Sequence, residues 1–94
     1  MEDDAFEWDD RKAAANYASH GIGFELAKRI FRDPFAIERL DDREDYGEDR
    51  FILVGSVEQL VLCVTYTERR GRIRLISARR ATKREKNEYY TQDG

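Results

Sequence analysis

The sequence predicts an α+β fold in which N-terminal helices pack on an antiparallel β-sheet meander that is followed by a C-terminal helix. Three observations support this. Residues 10–32 carry apolar side chains at helical spacing, residues 50–80 carry β-branched and aromatic runs separated by short turns, and residues 81–90 return to helical composition. Helices that flank a block of strands in this order are typical of α+β domains. We expect the helices to cover one face of the sheet.

The first helix is delimited at both ends. Asp9 is a candidate N-cap for a helix over residues 10–19, and Gly21 suits the left-handed conformation in which helices end. We expect its apolar face to consist of Ala13, Ala14, Tyr17 and Ala18.

The two later helices differ in how strongly their starts are encoded. A helix over residues 24–32 follows Gly23, which has no side chain to cap it. The last helix, over residues 81–90, has Thr82 and Glu85 at the spacing of a capping box.

Phe6-Glu7-Trp8 is a candidate for a short extended segment, and four longer segments have the composition of strands, namely residues 35–40, 50–54, 60–67 and 72–80. A turn over residues 55–59 joins the second to the third, and a turn at Gly71 joins the third to the fourth. The intervening segment, residues 41–49, is predicted to be an acidic, exposed loop.

Length and composition restrict the class of protein. The 94 residues predict a single domain over residues 1–94, with residues 1–5 and 91–94 frayed. Cys63 is the sole cysteine, so no internal disulfide can form. No apolar stretch approaches the length of a membrane helix, and the acidic N-terminus is unlike a signal peptide. We therefore expect a cytoplasmic protein without membrane contact.

The charges are unevenly distributed along the chain. The formal net charge is −3, yet residues 69–80 contain six arginines. A guanidinium binds phosphate through two parallel hydrogen bonds, so a strand rich in arginine suggests a sheet face that binds phosphate. Pairing of these arginines with the many carboxylates is the alternative, and composition does not decide between them.

Several short motifs occur together and in order along the chain. They are Phe6-Glu7-Trp8-Asp9, Lys12, Asn16, His20-Gly21-Ile22, Phe24-Glu25, Phe31, Asp33-Pro34, Gly47-Glu48 with Arg50, Val64-Thr65-Tyr66-Thr67 with Arg69, and Ile73-Arg74-Leu75-Ile76-Ser77-Ala78-Arg79. From Phe6 to about Tyr90 the chain thereby resembles the BrnT family of bacterial type II toxins. It departs from the family at Gly23, where a serine is usual, and at Cys63, where the residue is normally aliphatic.

The resemblance implies a RelE-like fold and an endoribonuclease activity that halts translation. It also implies neutralisation by a cognate BrnA-like antitoxin with a ribbon-helix-helix domain, expected in a heterotetramer that binds operator DNA through the antitoxin.

A ribonuclease can work without a metal or cofactor, and the sequence suggests neither. The 2′-OH of the substrate attacks the adjacent phosphate, so the protein must supply a base, an acid and cations for the transition state. We assign the cationic role to Arg69, Arg74 and Arg79, with ion pairing to Glu48 or Glu85 as the alternative.

Arginine is a poor proton donor or acceptor at neutral pH, so acid–base work falls to other side chains. The candidates are Lys12, His20, Glu7, Glu25 and Tyr66. Lys12, Asn16 and His20 lie on one stripe of the first helix. His20 can instead cap the helix end, and Lys12 can simply be solvated.

Further RNA contacts are predicted for Trp8, Tyr66, Arg72 and Arg80. The two aromatic rings can stack on bases, although aromatic residues among apolar neighbours more often belong to a core.

A ribonuclease toxin is thus the first hypothesis. A non-catalytic module that docks an antitoxin within a DNA-binding repressor complex is the second. Direct DNA binding is disfavoured by the overall acidity and by the lack of a helix-turn-helix pattern.

Overall fold

The computed structural model describes residues 1–92 of the chain. Its α-helices are α1 (Asp10–His20), α2 (Phe24–Ala27) and α3 (Lys83–Thr91), and a 3-10 helix over Lys28–Arg32 continues α2. Its strands are β1 (Phe6–Glu7), β2 (Ile37–Leu40), β3 (Arg50–Val57), β4 (Leu60–Arg69) and β5 (Arg72–Arg80). They form one sheet in the order β1-β5-β4-β3-β2, and the α+β class is confirmed. No helix in this described part of the chain has the length and apolar character needed to cross a membrane.

The antiparallel meander gains a strand that the sequence pattern did not place in the sheet. β1 pairs in parallel with β5, with Phe6 opposite Ile73 and Glu7 opposite Arg74. Residues 1–5, which we expected to be frayed, are hydrogen-bonded next to it: the amide of Ile73 donates to the carbonyl of Ala5 at 2.8 Å. At the other end, α3 runs to Thr91, and residues 93–94 of the second expected frayed segment lie outside the described residues.

The predicted helix caps are present. The Asp9 carboxylate accepts from the amides of Arg11 at 2.8 Å and Lys12 at 3.2 Å. Gly21 adopts a left-handed φ of 70°. Thr82 and Glu85 form the complete capping box.

The helix that follows Gly23 is shorter than predicted. No side chain caps its start, and after the four residues of α2 the backbone tightens into the 3-10 turn over Lys28–Arg32. The short length is consistent with the absent cap, because each backbone amide without a hydrogen-bond partner at the N-terminus destabilises a short helix.

The expected apolar face of α1 was right at Ala13, which packs against the main core, and wrong at its other three residues. Ala14, Tyr17 and Ala18 are exposed, and the residue buried against the sheet is Asn16. Its side-chain amide donates to the carbonyl of Ala78 at 2.8 Å, and its oxygen accepts from the amide of Ala78 at 3.0 Å. β1 is too short to cover the edge of β5 at this point, so Asn16 supplies the hydrogen bonds that a neighbouring strand would make.

The β3–β4 connection is tighter than predicted. β3 continues to Val57, and only Glu58 and Gln59 form the turn, both with positive φ, 49° and 68°. β3 passes close to the 3-10 helix at Gly55, where an added Cβ would lie 3.1 Å from the Cβ of Ile30. A larger residue here would force Ile30 or the strand to shift by a few tenths of an ångström.

The two faces of the sheet pack against different helices. On one face, side chains of α1, α2 and the 3-10 helix join strand residues such as Leu62, Val64 and Leu75 in the main core. On the other face, Tyr89 of α3 packs with a smaller cluster that consists of Ile52, Val54, Val61 and Cys63. The expectation that all helices share one face was therefore wrong, because β3 and β4 present apolar side chains in both directions.

Candidate functional site

The sheet face that α3 covers only in part carries arginines from four strands. Residues directly opposite each other in neighbouring strands point to the same side. Arg74 of β5 lies opposite Thr67 of β4, which lies opposite Arg50 of β3. By the same register this surface, here called the arginine face, consists of Arg39, Arg50, Arg69, Arg72, Arg74 and Arg79.

Carboxylates pair with the guanidinium groups of this face. Arg74 donates to Glu7 at 2.5 Å, which parallel pairing places directly beside it. Arg79 forms two hydrogen bonds with Glu85, at 2.8 and 3.1 Å. The ion pairing that the sequence left as an alternative for Arg79 is thus present.

A third carboxylate bridges two arginines. Glu48 accepts from Arg69 at 3.0 Å and from Arg50 at 3.3 Å. The side chains of Arg69 and Arg79 remain 45% and 36% exposed. A guanidinium has five N–H donors, so exposed donors remain after each pairing.

These contacts shift the pKa values of the carboxyl groups. The hydrogen bonds and charge of Arg79 lower the pKa of Glu85 to about 2, against the opposing effect of burial. Arg69 and, less strongly, Arg50 lower the pKa of Glu48. Burial raises the pKa of the Cys63 thiol to about 11, so this thiol is not a nucleophile at neutral pH.

The loop over residues 41–49 is largely exposed, as predicted, and it folds along the margin of the arginine face. Asp41 is buried and accepts two hydrogen bonds from Arg43, both at 2.7 Å, which lower its pKa to about 2. The guanidinium of Arg50 lies 4.0 Å from the ring centroid of Tyr46. The hydroxyl of Thr67 donates to the carbonyl of Asp49 at 2.6 Å, which holds the end of the loop.

A cleft runs along the free edge of β5. Lys12, Asn16 and His20 line it on the α1 side, as their common stripe predicted, and Ile76 lines it from β5; its volume is about 250 Å³. Ile76 is the extra residue of a β-bulge, since Leu75 and Ser77 pair with consecutive residues of β4. Lys12 and His20 are both exposed.

Asp9 lies within range of charges from both the cleft and the arginine face. The positive charges of both Lys12 and Arg74 contribute to lowering the pKa of Asp9, whose main cause is its hydrogen bonds to backbone amides. The face and the cleft together give fixed cations, a carboxylate and two proton-carrying side chains along one strand. This is a set of groups that can act on an anionic ester.

The family of the chain follows from a comparison with known protein families. A family model described as "Ribonuclease toxin, BrnT, of type II toxin-antitoxin system" matches residues 8–85. The chain belongs to this family. None of the curated proteins compared with it matched. Family membership makes this BrnT-family protein a ribonuclease toxin of a type II system, in which an antitoxin is the partner.

Two aromatic residues predicted to contact RNA lie inside the BrnT-family fold. Trp8 and Tyr66 are 6% and 5% exposed and pack edge-on against Phe24 and Phe31. The hydroxyl of Tyr66 donates to Glu38. Because this burial leaves neither ring face open to a base, we give both residues a packing role.

The remaining predicted residues lie in different surroundings. Arg72 belongs to the arginine face but donates to the backbone carbonyl of Asp3 at 2.7 Å. Arg80 is exposed and lies opposite Leu62, on the face of the sheet that α1 and α2 cover. Glu25 pairs with Lys28 at 3.0 Å, on that same side.

Sequence reasoning missed two members of the arginine face of the toxin. Arg39 and Arg50 lie on β2 and β3, outside the arginine-rich stretch. Strand alternation was the available signal, since Arg50, Ile52 and Val54 must point to the same side. What the sequence could not supply was the order of the strands. Within residues 1–92, no group of three or more His, Cys, Asp or Glu side chains is arranged to hold a metal ion.

Proposed function

We propose that this BrnT-family toxin is a metal-independent endoribonuclease that cleaves cellular RNA in the cytoplasm and thereby inhibits translation. The arginine face is the observation that carries the proposal. A protein with a net charge of −3 gathers guanidinium groups from four strands on one partly exposed surface. Such a surface suits the sugar–phosphate backbone, which supplies most of the affinity in RNA binding.

Arg69, Arg74 and Arg79 are proposed to bind the phosphate that is cleaved and its neighbour. Their carboxylate partners hold them in place in the free protein, and phosphate competes for the same planar donors. Fixed positive charge is most effective where negative charge develops in the transition state. Removing one such donor typically lowers the rate by about 100-fold.

The proposed chemistry is an intramolecular transesterification. The 2′-oxygen forms a bond to phosphorus as the bond from phosphorus to the 5′-oxygen breaks, which leaves a 2′,3′-cyclic phosphate and a free 5′-hydroxyl. Glu7, held beside Arg74, is the candidate to accept the 2′-OH proton. Lys12 and His20, in the cleft along β5, are the candidates to donate a proton to the 5′-oxygen.

Incubation of the purified toxin with RNA in EDTA tests this proposal. We expect cleavage with 2′,3′-cyclic phosphate ends, and a loss of about 100-fold for Arg74→Ala. Arg84→Ala is the matched control, because Arg84 is 91% exposed on α3 and, among residues 1–92, pairs only with Glu88 of the same helix. Equal loss in both variants, or cleavage only with added metal, would refute the proposal.

The antitoxin is proposed to be a BrnA-like ribbon-helix-helix protein that forms a heterotetramer with the toxin and carries it to operator DNA. The support is the family and its type II organisation. Mass measurement of the co-expressed pair by light scattering tests the stoichiometry. Binding of an operator fragment by the complex, but not by the toxin alone, tests the route to DNA.

A second candidate function has one specific observation in its favour. Arg69, Arg74 and Arg79 are each already paired with a carboxylate. The face can thus be a docking surface for an acidic antitoxin segment on a non-catalytic module. RNA that stays intact in the assay above, together with antitoxin binding that is lost in Arg74→Ala, would favour this alternative.

A further inference from the structure

We infer that Arg50 and Arg69 form a second phosphate-binding subsite for a single-stranded RNA, and that the carboxylate of Glu48 occupies this subsite in the free toxin. The inference rests on the proposed function, since it extends the RNA track beyond the phosphate that is cleaved.

The geometry of Glu48 is that of an anion held between two guanidinium groups. One carboxylate oxygen accepts from Arg69 at 3.0 Å and the other from Arg50 at 3.3 Å. The two arginines come from different strands, β4 and β3, and converge on one acceptor. A phosphate presents the same arrangement of two oxygens to two donors, so it can replace the carboxylate without movement of the arginines.

The surroundings hold Arg50 through a contact that does not depend on Glu48. The guanidinium of Arg50 is stacked on Tyr46, at 4.0 Å from the ring centroid. Thr67 anchors the backbone at Asp49, directly after Glu48. The side chain of Glu48 is 28% exposed and can rotate into solvent. The Arg50 half of the subsite is therefore preorganised, and its occupant is exchangeable.

The subsite is aligned with the proposed cleavage site. Arg50, Thr67 and Arg74 form one row across three strands, so Arg50 and Arg74 stand two strand spacings, or about 10 Å, apart. A single strand laid across the sheet can contact both with neighbouring phosphates, as on other basic tracks for single-stranded nucleic acid. The ligand class is thus an RNA strand with at least one phosphate beside the cleaved one.

Binding of a single-stranded 2′-O-methyl RNA tests the inference, because this ligand lacks the 2′-OH and is not cleaved. We expect Glu48→Gln to tighten binding about two- to five-fold, since it removes an anion that competes with phosphate. We expect Arg50→Ala to weaken binding and to lower the slope of log K against log salt by about 0.7, the value of one phosphate contact on a single strand. Glu58→Gln is the matched control for Glu48→Gln, because Glu58 also pairs with an arginine, Arg29, but lies at the β3–β4 turn, outside the arginine face.

The outcomes separate the subsite from the proposed function. Unchanged affinity in Glu48→Gln, or an unchanged salt slope in a folded Arg50→Ala, would overturn the subsite. If circular dichroism shows that Arg50→Ala does not fold, Arg50→Lys replaces it in the test. This variant should bind RNA more weakly with the same salt slope, and unchanged affinity would overturn the subsite. If Arg74→Ala also leaves affinity and slope unchanged, the proposed function itself fails.

Discussion

Substitution of Arg79 separates its two roles, one in stability and one in binding phosphate. The Glu85 side chain is only 10% exposed and accepts two hydrogen bonds from Arg79. Its pKa falls from 4.5 to about 2 in the folded state. Each pKa unit corresponds to about 1.4 kcal/mol, which gives about 3 kcal/mol, and solvent near the pair reduces this to about 2 kcal/mol.

We therefore expect Arg79→Ala to lower the free energy of unfolding by about 2 kcal/mol at pH 7. For a chain of this size the melting temperature should fall by about 10 °C. Because folding lowers the pKa of Glu85, its ionised form stabilises the protein above about pH 4.5, and this contribution disappears as the pH falls through about 2. The difference between wild type and Arg79→Ala should shrink over the same range.

Urea denaturation at pH 7 and at low pH, in a double-mutant cycle with Glu85→Gln, measures these effects. The double variant should be no less stable than Arg79→Ala, with a coupling energy of about 2 kcal/mol. Its rate of RNA cleavage should also stay about 100-fold below that of the wild type, although it is folded. Full stability of Arg79→Ala at pH 7 would refute the argument from the pair, and full activity of the folded double variant would remove Arg79 from the phosphate site.

Three further predictions concern stability, each measured by urea denaturation. Asn16→Ala should lower the free energy of unfolding by about 2–3 kcal/mol, because it leaves the amide of Ala78 without a partner. The exposed Asn87→Ala should change it by no more than about 0.5 kcal/mol. Equal effects of the two substitutions would contradict the role given to Asn16. Gly55→Ala should lower the free energy of unfolding by about 1–3 kcal/mol through the contact with Ile30, and unchanged stability would contradict the close packing. Gly23→Ser, with 4.0 Å to its nearest neighbour, should raise the free energy of unfolding by a few tenths of a kcal/mol, because the serine can cap the helix. Gln59→Gly should stabilise the β3–β4 turn by about 0.5 kcal/mol, since its φ is 68°, and a loss of stability would contradict the turn assignment.

The local signals in the sequence determined both ends of α1, the start of α3 and the positions of β2 to β5. Asp9, Gly21 and the pair of Thr82 and Glu85 act through bonds that span a few residues, so they could be identified without a fold. The β-branched runs of β3 and β4 likewise predicted strands from composition. The turn between them was placed too wide, because both of its residues have left-handed φ without being glycine.

The candidate site was determined only in part. The arginine-rich stretch pointed to β5, and the helical stripe brought Lys12 and His20 together in the cleft. The sequence did not indicate which residues would pair with these side chains. Glu7 meets Arg74 across 67 residues of chain, through a parallel strand of two residues whose pairing partner the sequence did not indicate.

The tertiary structure alone decided which side chains share a surface. Arg39 and Arg50 join β5 on the arginine face because of the strand order, while Trp8 and Tyr66 turn into the core on the opposite side. Sequence periodicity establishes that successive strand residues alternate between faces, but it does not say which face the helices will cover. Burial of apolar area by α1, α2 and α3 makes that choice, and it leaves the guanidinium groups where they stay solvated.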